Sequence, residues 1–360
     1  MKKRIVVAMS GGVDSSTVAA MLKDRGHEVI GITMQLWDYG ESSGGCCSAD
    51  EVRDARNVAR QIEIPHYVAN YMEPFKKTVV SDFVGKYRAG QTPVPCTLCN
   101  QFMKFDLLLR RAKELGADAL ATGHYARVQN SESGRALFKG VDNRKDQTYF
   151  LFTLKQGELE NLMFPLGEST KTEVREKARG FGLEVAEKPE SMGVCFLTGG
   201  DYRNFLSDKI DASAAPEGDM VDTEGREMGN HKGIHSYTIG QRKGLGIKTS
   251  NPESDPMYVV SIDGENNKVV VGGERHLYSG GLVADELSWV RRTPARGSRV
   301  GAKIRHRHSE EEAVLDIGDD GRAVVKFAEP QRAVTPGQAV VFYDDGEVLG
   351  GGWIKEALPV

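Results

Sequence analysis

Near the amino terminus, Ser10-Gly11-Gly12-Val13-Asp14-Ser15-Ser16 follows the apolar run Ile5–Met9. A glycine-rich turn between a strand and a helix aims backbone N–H groups and the positive helix end at an anion, and glycines let the backbone approach it closely. Ser10, Ser15 and Ser16 add hydroxyl donors, and Asp14 is placed to organise a magnesium ion. The lysine that kinase-type phosphate loops carry is missing. Attack at the α-phosphate with release of pyrophosphate does not require it, so the loop points to AMP transfer rather than phosphoryl transfer. The plainer alternative is a bare strand–turn–helix corner. The density of Gly and Ser, the included Asp and the position at a strand's carboxyl end all count against that alternative.

The second set of reactive residues is thiols. Five cysteines stand at Cys46, Cys47, Cys96, Cys99 and Cys195. An odd number in a 360-residue chain does not suit a disulfide framework. Cys96 and Cys99 fall in TPVPCTLCNQFMKF, a proline-stiffened loop ahead of a helix expected from about Gln101. A helix amino terminus favours the reactive thiolate. No second Cys-x-x-Cys or His pair completes a zinc set. Cys195, in SMGVCFL, would by itself read as buried and inert, and Cys46 and Cys47 read as bystanders.

These residues need a scaffold. Strand patterns at Arg4–Met9, Glu28–Gln35, His66–Ala69 and Asp118–Thr122 alternate with helices, one of them from about Ser15 to Arg25. Another helix, opened by a Ser48–Glu51 capping box, runs to Gln61, and a long one ends near Ala89. This is an α/β doubly wound parallel sheet, whose ligands sit at the carboxyl ends of its strands. After about residue 211 the chain turns to short strands and Asp-Gly hairpins: Val259–Ile262 with Lys268–Val271, Ala313–Ile317 with Ala323–Phe327, and Ala339–Tyr343 with Val348–Ile354. The expected division is a catalytic domain over 1–210, a small β-rich domain over 211–275 and a C-terminal β-barrel over 276–360.

Composition sets the outer bounds. At 39% hydrophobic and 27% charged the chain is an ordinary globular protein. No apolar run approaches the roughly 20 residues of a membrane span, and the apolar segment behind the basic start is too short for a signal peptide. A cytoplasmic protein without a membrane partner is expected. The net charge of −4 excludes an overall basic protein but not a basic face. Between Glu286 and Glu310 there is no acidic residue, and Lys303, Arg305 and Arg307 alternate, as cations on one face of a strand would. Such a row suits nucleic-acid phosphates, although charge runs are more often solvated faces.

The phosphate loop resembles the SGGxDS signature of the PP-loop ATP pyrophosphatases, an adenine nucleotide alpha hydrolase-like fold. With TPVPCTLCN, TGHYA, KDQTYFL, SMGVCFL and HKGIHSYTIGQRKGLG in order, the whole chain resembles the tRNA-specific 2-thiouridylase (MnmA) family. The resemblance implies ATP-dependent 2-thiolation of the wobble uridine in tRNAs for Lys, Glu and Gln. It implies ATP, with Mg2+, on Ala8, Met9, Ser10, Gly11, Gly12, Val13, Asp14 and Ser15, and on Met34 and Gly123. It implies tRNA contacts at Pro95, Cys96, Lys145, Asp146, Gln147, Arg305 and His306. It makes Cys99 the nucleophile and Cys195 the persulfide carrier, the two closing a disulfide as sulfur is released. The family's commoner pattern has Asp where this chain has Cys96. Cys96, Cys99 and Cys195 therefore form a trio that could instead ligate a [4Fe–4S] cluster with one open iron, as in related tRNA thiolases. The sulfur source is then a donor or relay protein, or inorganic sulfide. Two other readings are a PP-loop ligase adenylating a small molecule, which leaves the cysteines and basic strand without a role, and a non-catalytic RNA-binding module, which leaves the phosphate loop idle.

Overall fold

The computed structural model describes residues 1–38, 49–190, 193–197, 201–210, 216–247 and 256–360. Cys46, Cys47 and the capping residue Ser48 lie outside them. The organising strand is β1 (Arg4–Ala8). Its successive side chains point to opposite faces, and each face is buried: Val6 joins one apolar core while Ile5 and Val7 join another. A strand covered on both sides reads as an unbroken apolar run, which is what Ile5–Val6–Val7 is. β1 pairs in parallel with β2 (Glu28–Gln35) and with β4 (Ala119–Ala121). β3 (His66–Asn70) flanks β2, and the short strand Leu162–Met163 flanks β4.

Between β1 and β2 runs α1 (Val13–Asp24), buried from Ser15 to Leu22 and so not confined to one apolar face. Its end is closed by the Gly26 N–H donating to the Lys23 carbonyl and the His27 N–H donating to the Leu22 carbonyl. α2 (Ala49–Gln61) covers the same face of the sheet.

Two long helical rods cover the other face. Met72–Phe75, Lys76–Val80 and Ser81–Arg88 run on as one, and so do Pro95–Leu98, Cys99–Leu108 and Leu109–Glu114. In each rod the middle piece is wound as a π-helix, a rare form that often occurs at functional sites. The second rod begins at Pro95, not near Gln101. Proline fits a first helical turn because its missing N–H would lack an intrahelical partner there anyway. Both cysteines of Cys-x-x-Cys are therefore helical.

Beyond the sheet, Tyr258–Asp263, Lys268–Gly272, Gly218–Asp222 and Glu227–His231 form a four-stranded sheet around Met220, Val259, Val269 and Val271. Then Tyr278–Trp289, Ala323–Arg332, Glu311–Ile317, Ser298–Lys303, Ala339–Asp344 and Glu347–Leu358 make an antiparallel barrel, closed by pairing of its first strand with its last. The three Asp-Gly hairpins expected from the sequence are all present.

The basic row is not a strand face. The strand ends at Lys303, and Arg305 and Arg307 lie in the following turn. Much of the run is neutralised: Arg291 pairs with Glu347, Arg296 with Asp316 at 2.7 Å, and Arg299 with Glu312 at 3.5 Å. Among the described residues, no helix is long and apolar enough to cross a membrane.

The barrel is tied to the first domain. The hairpin of Ala126–Ser131 and Gly134–Lys139 extends from the first domain to pair with Glu347 on the barrel's last strand. Trp353 stacks edgewise on Phe152 at 5.8 Å, with Lys86 over its ring. Any substrate held by the barrel is thus held at a fixed offset from the parallel sheet.

A cleft joining the phosphate loop to three cysteines

At the carboxyl ends of β1, β2 and β4 lies a cleft of about 410 Å³. Ala8, Met9, Ser10, Gly12, Val13, Asp14 and Ser15 form one wall, with Met34 and Gly123 beside them. Gly11 stands behind the wall with φ +74°, where a Cβ would run into the Glu51 carbonyl oxygen. A Cβ on Gly123 would come within 3.0 Å of the Ser15 nitrogen, so both glycines allow close backbone approach. Ser15 Oγ accepts from the Ser10 N–H at 3.0 Å and shapes the turn from inside.

Pro95, Cys96, Cys99 and Cys195 line the same cleft, with Lys145 and Gln147. Residues separated by some 180 positions in the chain thus face one space. Cys195 is held by its neighbour Phe196, which is buried against Phe75, Phe83 and Phe205 with ring centroids 5.6, 5.1 and 5.2 Å away. Cys96 is open to solvent from within the cleft. Protein nonetheless crowds its sulfur and pushes the thiol pKa up, against an opposing pull from Lys104. For Cys96, this reverses the expectation that the helix start enriches the thiolate.

Among the described residues, no three His, Cys, Asp or Glu side chains converge as a metal site. Cys96, Cys99 and Cys195 share the cleft without converging on one point as the ligands of a single metal ion would. Magnesium is a different case. It takes one or two carboxylates plus the nucleotide's own phosphates, and Asp14, an oxygen donor facing the cleft beside the loop, fits that requirement.

Several residues in the cleft were not picked out by sequence reasoning. Asp14 accepts from Tyr125 Oη and from Lys171 Nζ, each at 2.8 Å. Lys171 also pairs with Glu190 at 3.1 Å, and Glu190 pairs with Lys145 at 2.6 Å. The bond from Lys145 holds the Glu190 carboxyl below its usual range, against partial desolvation. Lys188 Nζ donates to the Gly11 carbonyl at 3.2 Å and pairs with Asp54 at 2.7 Å. The loop therefore has lysines beside it, although none within it.

Opposite them, Lys104 Nζ lies 3.4 Å from His124 Nε2, and Thr122 Oγ1 lies 2.7 Å from His124 Nδ1. Burial, and secondarily the Lys104 charge, hold the His124 pKa well below its ordinary value. A neutral imidazole follows; a proton on Nδ1, donated to Thr122, would leave Nε2 to accept from Lys104.

The remaining expected tRNA contacts divide. Asp146 is buried, bonded to Thr148 Oγ1 at 2.9 Å and 4.0 Å from Lys303. It is a node between the first domain and the barrel rather than an open surface. Arg305 donates to the Arg332 carbonyl at 3.0 Å. His306 Nε2 donates to the Asp146 carbonyl at 3.2 Å, and its ring packs on Phe150 with centroids 4.5 Å apart. Phe150 lines the cleft, so the barrel reaches the cleft wall through His306. A wider, shallower concavity of about 820 Å³ lies beyond α2, between Asp54 and Lys188. It contains no cysteine and no residue of the phosphate loop.

Comparison with known proteins agrees with this architecture. Residues 3–199 match the family model described as tRNA methyl transferase HUP domain, 203–273 the tRNA methyl transferase PRC-barrel domain and 279–354 the aminomethyltransferase beta-barrel domain. The chain is 51% identical to the tRNA-specific 2-thiouridylase MnmA of Geotalea uraniireducens, over 99% of this chain and 96% of that one. The chain belongs to the MnmA family. The family's member in Geobacter metallireducens is 52% identical over 99% of this chain and 98% of its own. The member in Koribacter versatilis is 48% identical, over 97% and 98% respectively. The likeness to MnmA proteins thus runs through all three matched segments.

Proposed function

We propose that the protein is an ATP-dependent tRNA-uridine 2-sulfurtransferase acting on the wobble uridine of tRNAs for Lys, Glu and Gln. What supports this most is the shared cleft: a loop suited to nucleotide phosphates and the two thiols Cys99 and Cys195 face one space. Neither would need the other in a simple ligase or in a binding module.

The uracil O2 attacks the α-phosphate, an O–P bond forms and pyrophosphate departs. The adenylated oxygen can now leave as AMP, which a bare carbonyl oxygen cannot do. A persulfide on Cys195, loaded by a sulfur donor protein, adds its terminal sulfur to C2 and AMP is expelled. Cys99 as thiolate then attacks the Cys195 sulfur, the bond to the base sulfur breaks, and its electron pair stays on the thiolated base. The Cys99–Cys195 disulfide must be reduced by a thiol before the next turnover. Asp14 would hold the nucleotide's Mg2+. A wobble base is already single-stranded, so presenting it to the cleft costs little unstacking.

The test is nucleoside mass spectrometry of an unmodified tRNA for Lys after incubation with protein, ATP and a persulfide donor. 2-Thiouridine is expected with the natural chain and not with Cys99→Ser or Cys195→Ser. No product with the natural chain, or retained product with Cys99→Ser, contradicts the proposal.

A further inference from the structure

We infer that Lys171 and Lys188 hold the β- and γ-phosphates of the nucleotide, the part that leaves as pyrophosphate, and so supply from elsewhere in the chain the cations that the loop lacks. This rests on the reading of the loop as an ATP site.

Lys171 is the first residue of the helix Lys171–Gly180, behind the capping residue Thr170. A cation there opposes the helix dipole, which favours negative charge at that end. Its stem is nearly buried, at 12% exposure, and its ammonium reaches Asp14 at 2.8 Å and Glu190 at 3.1 Å. An unfavourable start position, an ordered long side chain and a desolvated charge call for a compensating role. Lys188 approaches the loop independently, with its ammonium 3.2 Å from the Gly11 carbonyl. Both side chains open into the cleft on the loop side, whereas Lys104 stands by His124.

The charges are balanced without a nucleotide: Lys171, Lys188 and Lys145 face Asp14, Glu190 and Asp54. Lys171, at 12% exposure, is already largely desolvated against carboxylates, so exchanging one of them for a phosphate oxygen adds little further desolvation of the ammonium itself. It binds phosphate as a point charge with rotatable donors, which suits a leaving group that changes position as it departs.

The test is calorimetric binding of ATP, AMP and inorganic pyrophosphate, each alone, to the natural chain, Lys171→Met, Lys171→Arg and Lys188→Met. Loss of a charge-assisted bond should weaken ATP and pyrophosphate by about 10-fold or more. AMP should change by less than about threefold on the same scale, and Lys171→Arg should restore part of the loss. A purely structural ion pair would weaken all three ligands alike, or none, and either result overturns the inference. If Lys171→Met does not fold, Lys188→Met, on the more exposed chain, decides by the same comparison. If the natural chain binds none of the three, the ATP reading itself fails, a result distinct from a selective failure in the variants.

Discussion

Lys171 and Asp14 stand 157 residues apart in the chain and 2.8 Å apart at their charged atoms. That contact fixes the helix Lys171–Gly180 against the phosphate loop and makes the loop's chemistry a property of the whole first domain. With Tyr125 on the same carboxylate and Glu190 on the same ammonium, the loop sits in a network of paired charges.

Gly11→Ala should abolish nucleotide binding and destabilise the fold. Its φ of +74° is strained for any side chain, and a Cβ meets the backbone of Glu51. A strain of about 1–3 kcal/mol is expected in the melting free energy. Calorimetry with ATP and a thermal melt check both, and an unchanged ATP affinity would contradict this view of the loop.

The loop was legible in the sequence because its function is local: Gly, Ser and Asp act where they stand. The parallel sheet and the hairpins were legible for the same reason, through periodicity and Asp-Gly turns. Lys171 and Lys188 were not, since nothing near a lysine tells which distant carboxylate it will meet. One faint signal existed: a lysine just behind a capping threonine, where the helix dipole disfavours it. The alternating Lys303, Arg305 and Arg307 misled because the strand stops at Lys303, and because Arg291, Arg296 and Arg299 find acidic partners on later strands of the barrel. The helix start at Pro95 was missed because the prolines were read as loop stiffeners rather than as a first turn.

Cys96 should behave as a protonated thiol at neutral pH. Crowding raises its pKa while the Lys104 ammonium lowers it. Alkylation by iodoacetamide, followed by peptide mass spectrometry, should label Cys96 slowly at pH 7 and accelerate only at a pH higher than a free cysteine requires. Lys104→Met should move that acceleration to still higher pH. Rapid labelling at pH 7 would contradict the assignment.

Phe196→Ala should separate thiol chemistry from nucleotide binding. Removing this ring from between Phe75, Phe83 and Phe205 should cost about 3–5 kcal/mol of stability and release the Cys195 segment. Persulfide transfer should fall sharply while ATP affinity, measured well below the melting temperature, stays near that of the natural chain. Equal loss of both would show that the aromatic cluster supports the whole cleft.

Acid should destabilise the fold through one buried and one half-buried histidine. His124 and His306 have lowered pKa values, chiefly from desolvation. Above the unfolded-state value of about 6.5 both states are neutral and these groups leave stability unchanged. As pH falls below it, the unfolded chain takes protons that the folded chain refuses, and stability drops by up to about 1.4 kcal/mol per pH unit per histidine. Denaturant melts between pH 7.5 and 5.5 should show that slope, and His124→Gln should flatten it by about one proton. An unchanged slope in the variant would mean that His124 titrates normally.

The central claim is that ATP is used to turn a uracil oxygen into departing AMP. The direct measurement follows α-labelled ATP during a single round with tRNA and a persulfide-loaded protein, counting AMP, pyrophosphate and 2-thiouridine together. The account predicts one AMP and one pyrophosphate for each thiolated base, with no ADP. Formation of ADP and phosphate, or thiolation that proceeds without AMP, would contradict it.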